Sequence, residues 1–295
     1  MLTRSKSPNK KMPFYMMSLP SLIMYSFFFG IPVIYGIYYS LTDWDGMSKE
    51  YNFIGIENYL NSFQDNRFWN SFVFTFKYAI ILVITVIVIS LIVALLLNSN
   101  IKAKGFFRSV YFFPAVLSLV TVGLIFNQIF YRAVPRIGEL LGIGFLQINI
   151  LGNSKLAIWG ILITNIWQGV AMPAIIFLAG LQSIPKDVYE AATIDGANII
   201  KKFQYITIPF LIPMLSINLV LVVKSGLTVF DYIVAMTEGG PGRATESIAY
   251  IIYQQGFRQY QFAYGVAQSI ILLAVIVIIS VIQTKLLSKK EVGQQ

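Results

Sequence analysis

Six long runs of this chain carry almost no charge, and this constrains its fold more than any other feature. They cover about 12–42, 78–97, 109–131, 156–181, 203–236 and 263–284. A bilayer core takes about 20 helical residues to cross. Each run is long enough, and several are rich in Ile and Val, which would favour strands in water. In lipid the backbone groups must be satisfied within the segment, so the runs are expected to be helices. Pro20 and Pro32 predict kinks in the first. That run follows Arg4, Lys6, Lys10 and Lys11, as a signal peptide's apolar stretch does. It is too long for one, lacks a small-residue cleavage site and precedes five more spans, so it reads as a retained helix.

The rest of the composition agrees. Hydrophobic residues make up 57% of the chain and charged residues 12%, about half the charged share of a soluble domain. No histidine and no cysteine are present. This excludes a Ser-His-Asp triad, a His or Cys metal site, a thiolate nucleophile and disulfides. The net charge of +9 calls for no nucleic-acid partner. With the N-terminus placed in the cytoplasm, thirteen Lys and Arg fall on the inner segments, Lys102, Lys104, Arg108, Lys186, Lys201 and Lys202 among them. Seven fall outside, such as Lys49, Arg67 and Arg132. The bias predicts both termini inside and basic loops facing an anionic leaflet. The outer segment 41–69 is rich in aromatics that suit the membrane boundary, and 137–141 reads as a short surface helix.

The inner segment 184–205 is the most specific. Pro185 suits a helix start, with Asp187 and Glu190 near that end. Ala191 and Ala192 are compact helix formers, and Gly196 can supply a turn with positive φ. A second short helix can follow, basic at Lys201 and Lys202. The pattern is a helix–turn–helix slim enough to enter a groove, although an ordinary connection between spans fits the spacing equally well.

Polar residues also gather on two spans. Asn165, Gln168, Gly169 and Met172 stand at offsets 0, 3, 4 and 7, one helical stripe. Lys224, Thr228 and Asp231 stand at 0, 4 and 7 with Ser225 beside them, placing Lys224 and Asp231 about 10 Å apart along one helix. Charges within a membrane usually mark interior or water-lined positions. Small and polar residues also join helices to one another, so both stripes have a packing reading.

Glu190-Ala191-Ala192 followed by Asp195-Gly196-Ala197, with Ile206 and Pro209 downstream, resembles the EAA motif of the membrane subunits of ABC importers. Further matches to the carbohydrate branch are Leu41-Thr42-Asp43-Trp44, 53–59, 67–71, Phe106-Phe107-Arg108, 179–185 and Thr237-Glu238-Gly239-Gly240-Pro241-Gly242. The last looks like the first permease of the maltose-type pair, although this chain has no large outer domain. The resemblance implies an all-α membrane protein of six transmembrane helices. Its fold would be that of an ABC importer permease (MetI-like), one permease domain over 1–295 in a bacterial plasma membrane. It implies that Glu190, Ala191, Ala192, Asp195, Gly196 and Ala197 form a cytoplasmic coupling helix docking on an ATPase. It makes Asn165, Gln168, Gly169, Met172, Ser225 and Thr228 candidates for the substrate path, beside Lys224 and Asp231. Partners implied are a second homologous permease, two ATPase subunits and an extracytoplasmic substrate-binding protein. No cofactor is expected in this chain. It lacks a G-x-x-x-x-G-K-[ST] phosphate loop, so ATP and Mg would belong to the ATPase. The expected cargo is a sugar or oligosaccharide, or another polar solute such as glycerol phosphate. An intramembrane enzyme would need a catalytic pair, yet Asp231 is the only carboxylate placed in a span. An ion-coupled transporter or channel would show paired internal charges and repeated halves, and neither is visible.

Overall fold

A computed structural model describes residues 12–99 and 102–288. The basic residues Arg4, Lys6, Lys10, Lys11, Lys289 and Lys290, on which part of the orientation rests, lie outside them. Among the described residues the regular structure is helical, with one isolated bridge between Thr42 and Phe53. Among the described residues five helices are long and apolar enough to cross a membrane, or six if one bent pair counts as a span. Contacts divide the chain into two compact units. One holds residues up to Gln64 with Gln254–Ile270, and the other holds Asp65–Tyr253 with residues from Ile271 onward.

In the first unit, α1 runs over 12–39 and is interrupted by a π-helical turn at Ser26–Gly30. That turn immediately precedes Pro32, whose missing N–H disturbs the helical ladder. No residue of its most apolar stretch, Met17–Tyr39, is buried. Behind α1 the chain is tied by side chains. Buried Asn58, on α2 (Glu57–Gln64), donates to the carbonyls of Ser40 and Thr42 at 2.9 and 2.7 Å. Asp43 accepts from the backbone and side chain of Asn52 at 2.6 and 3.0 Å. Asp45 accepts from Ser48 Oγ at 2.6 Å and from two backbone N–H groups, which lower its pKa to about 2. Trp44 stacks on Tyr39 with ring centroids 4.3 Å apart.

The second unit is built on α3 (Asn66–Asn98), whose N-cap Asp65 accepts from the Arg67 N–H at 2.7 Å. The helix starts twelve residues before the expected span because Lys77 ends the charge-free run in the sequence. In the structure Lys77 is exposed and the helix passes through it. Tyr78, Leu82, Val86, Val93 and Leu97 make its buried stripe. This packs against α6 (Ala157–Ser183) and α8 (Ile199–Leu227). Lipid tails are as apolar as the stripe, so close approach between helices must contribute to holding them together. At Gly226 a Cβ would lie 2.9 Å from Ala79 Cα, so only glycine permits the contact between α8 and α3.

Two expected spans are not single helices. The third, 109–131, consists of α4 (Lys104–Phe112), a tight turn at Phe113–Val116 and α5 (Leu119–Leu141), with a bend of 98°. Pro114 cannot donate a backbone bond, and the carbonyls of Pro114 and Leu117 accept instead from Gln168 Nε2 at 3.0 and 2.8 Å. The surface helix expected at 137–141 is the end of α5. The fifth span, 203–236, ends as α8 at Leu227 and resumes as α9 (Asp231–Met236). Ser247, fully buried, donates to the freed Val229 carbonyl at 2.6 Å. A short α10 (Ile248–Tyr253) and a long α11 (Phe262–Ser288) complete the described residues.

Candidate coupling loop and translocation site

The segment between α6 and α8 folds as a closed helix–turn–helix. α7 (Lys186–Ile194) starts after Pro185, in extended conformation, and carries Asp187 in its first turn. Its end is fixed by two nested bonds. The Gly196 N–H donates to Thr193 O at 3.1 Å, and the Ala197 N–H donates to Ala192 O at 2.9 Å. This Schellman closure needs a left-handed residue, and Gly196 has φ +73°. Asn198 then caps α8, its side chain accepting from the Lys201 N–H at 2.8 Å. Lys202 Nζ donates to Thr193 Oγ1 at 2.7 Å across the turn. Tyr189 and Thr207 hydroxyls meet at 2.8 Å and fasten α7 to the start of α8.

Glu190, Ala191, Asp195 and Gly196 are exposed, and Ala192 and Ala197 are half-buried. Glu190 and Asp195 make no ion pair among the described residues. Ile194 and Ile199 are 87% and 85% exposed, with Ile200 and Tyr205 nearby in the chain also bare. Large apolar side chains thus flank the turn on both sides in the sequence. The sequence pattern located the helix but not this apolar rim.

The path candidates divide by role. Gln168 is buried and its amide is fully engaged. Besides its two bonds to the 114–117 turn, its Oε1 accepts from Tyr232 OH at 2.7 Å. Asn165 donates from Nδ2 to the buried Tyr78 OH at 2.8 Å. With Ser225, Thr228 and Asp231 it lines a cavity of about 80 Å³ that also meets Leu119, Val229, Phe230 and Tyr232. Gly169 is half-buried, and a Cβ there would lie 3.3 Å from Asn165 Oδ1 and 3.8 Å from Val86 Cγ2. Met172 and Lys224 are exposed and do not line that cavity.

The expected stripe of Lys224, Thr228 and Asp231 does not form on one continuous helix. Thr228 caps α8, its hydroxyl returning to Lys224 O at 2.9 Å, and Asp231 opens α9. The 10 Å axial separation therefore does not apply. The break instead places non-helical backbone against a cavity, the setting in which such backbone is tolerated at membrane depth. Sequence reading missed Tyr78, Tyr232 and Ser247, because each acts on a partner far along the chain.

The 237–246 loop is also ordered. Thr245 Oγ1 donates to Gly240 O at 2.7 Å, and Tyr250 OH donates to Glu238 O at 2.6 Å. Glu246 takes a bidentate contact from Arg67, Nε to Oε2 at 2.9 Å and a terminal guanidinium nitrogen to Oε1 at 2.6 Å. The two side chains are only 18% and 9% exposed.

Comparison with known proteins places this architecture. Residues 86–292 match the family model described as binding-protein-dependent transport system inner membrane component. The chain is 43% identical to a multiple sugar-binding transport system permease protein of Streptococcus mutans, over 92% of this chain and 93% of that one. It is 34% identical to a trehalose/maltose transport system permease protein of Thermococcus litoralis, over 90% of each. It is 28% identical to an sn-glycerol-3-phosphate transport system permease protein of Agrobacterium fabrum, over 96% and 97%. The fold resembles a chain of a bacterial alginate ABC transporter solved in complex with an alginate pentasaccharide-bound periplasmic protein. The TM-score is 0.80, with 21% identity over 94% of each chain. With a family model matched over more than half its length, the chain belongs to the membrane-embedded permeases of binding-protein-dependent ABC transport systems.

Proposed function

We propose that this chain forms one half of the path by which an ABC importer moves a sugar or oligosaccharide, and that a second homologous permease forms the other half. Two ATPase subunits drive it and an extracytoplasmic substrate-binding protein delivers the cargo. The observation that carries this reading is the closed turn at Gly196 with its bare apolar rim and unpaired Glu190 and Asp195. A preformed helix of this kind transmits displacement from a moving groove, so that nucleotide biases a two-state path. The reading places α7, and both termini with it, in the cytoplasm of a bacterial plasma membrane. The sugar assignment is supported by the printed names of the S. mutans and T. litoralis relatives. The glycerol phosphate relative supports the second reading, a different polar cargo.

Glu190→Lys and Gly196→Pro test this directly. Both variants should insert in the membrane while ATPase co-purification or substrate-stimulated hydrolysis is lost. Uptake and stimulated hydrolysis that survive both changes would refute it. A panel of sugars and glycerol phosphate, presented with the binding protein, decides between the two cargoes.

A further inference from the structure

A second cavity lies away from the translocation site. It has a volume of about 360 Å³ and lies among α3, α4 and α6. Its lining on α6 extends from Ala171 to Gln182, about 16 Å along the helix axis. Ala174, Ile175, Leu178 and Ala179 make that wall apolar, and Leu97 and Phe112 close it. Its position in the membrane is fixed by the chain itself. Leu97 is one residue from the end of α3, and Gln182 is four residues before α7. The cavity therefore belongs to the coupling-loop end of the helices.

One charged side chain lines it, Arg108 of α4, which is exposed. Arg108 makes no ion pair among the described residues. The elements around it offer none: between Asn66 and Ser183 the only carboxylate is Glu139, and that is paired with Arg136 at 2.7 Å. Lys102, also exposed, precedes α4 in the same loop. The site joins a guanidinium without an anion to an apolar groove about as long as an acyl chain, at one end of a set of membrane helices.

We infer that this cavity holds an anionic phospholipid, its phosphate against Arg108 and one acyl chain along Ala171–Ala179 of α6. Guanidinium groups engage phosphate bidentately, and basic pockets at the inner ends of membrane helices suit acidic headgroups. The groove requires the chain as well as the headgroup, which distinguishes a lipid from a free phosphate.

The test uses the full transporter in mixed micelles of phosphatidylglycerol and phosphatidylcholine, with retained lipid read by native mass spectrometry. Arg108→Gln should weaken phosphatidylglycerol retention about fivefold, the loss of one basic residue near a lipid surface. Arg108→Lys should keep most of it. Ala179→Trp, which fills the groove while keeping the charge, should lower it too. Arg132→Gln, on α5 outside the cavity, should change nothing. The inference is overturned if Arg108→Gln retains phosphatidylglycerol as the unaltered protein does. It is also overturned if added glycerol phosphate displaces the lipid, since the acyl groove would then contribute nothing.

Discussion

The turn at Gly196 offers a measurable link between backbone geometry and coupling. Its φ is +73°, and a Cβ built there meets no atom within 4 Å. Sterics with neighbours therefore contribute nothing, and a substitution costs only its own backbone strain. For alanine that strain is about 1–2 kcal/mol, a shift of about 5–30-fold against the closed turn. Asparagine tolerates the left-handed region and should cost far less. Valine, branched at Cβ, should cost more than alanine. Proline cannot adopt the angle and also removes the N–H that donates to Thr193 O. The expected order of coupling is therefore Gly, Asn, Ala, Val, Pro. The assay is substrate-stimulated ATP hydrolysis by the full transporter in proteoliposomes, with ATPase retention measured on the same preparations. Insertion and level should not change, because the turn is exposed. Valine coupling as well as glycine would show that the closed turn is not what the ATPase reads. Asparagine failing as badly as valine would show that glycine's small size matters rather than its φ.

Five further outcomes are expected. Tyr189→Phe removes the hydroxyl contact to Thr207, worth about 1 kcal/mol, and should raise unstimulated hydrolysis relative to transport. Glu246→Leu leaves the largely buried Arg67 guanidinium without its partner and should lower stability in detergent by about 3 kcal/mol; adding Arg67→Met should recover most of the loss in thermal unfolding. Thr228→Val should reduce transport without affecting assembly, because Thr228 is exposed to the cavity. Asn165→Leu should impair both, since it strands the buried Tyr78 hydroxyl at about 1–3 kcal/mol. Asp45 has a lowered pKa of about 2, its carboxylate held by Ser48; the order it confers on 43–52 should persist above pH 4 and fade as pH falls toward 2, read by Trp44 fluorescence.

The spans were legible because charge is scarce in lipid, and the coupling turn was legible because Pro185 and Gly196 act on backbone within a few residues; the Asn198 cap was not read. The breaks were not. The bend before α5 is held by Gln168, more than fifty positions away, and the gap before α9 is stabilised by Ser247, eighteen positions on. Periodicity treats a helix as continuous until a local residue ends it, so it drew Lys224, Thr228 and Asp231 on one face. It placed Asn165 and Gln168 on one stripe correctly but could not assign their partners. Tyr78 and Tyr232 lie on other helices, and the packing brings them to those two amides.

The triple engagement of Gln168 has a mechanical consequence. It pins α6 at one point to the 114–117 turn and to α9, while the far end of the same helix leads into the coupling loop. The arm from Gln168 to Ile184 is sixteen residues, about 24 Å. A tilt of roughly 5° about the pinned end carries the coupling end through about 2 Å. Within the arm, Pro173 leaves the Gly169 carbonyl without its helical donor, so bending is easiest just beyond the pin. The pinned point sits beside the cavity that Asn165 lines. If the coupling reading holds, displacement at the coupling-loop end is taken up as bending beside Gly169, and the Gln168 pin keeps Asn165 and its cavity wall in register.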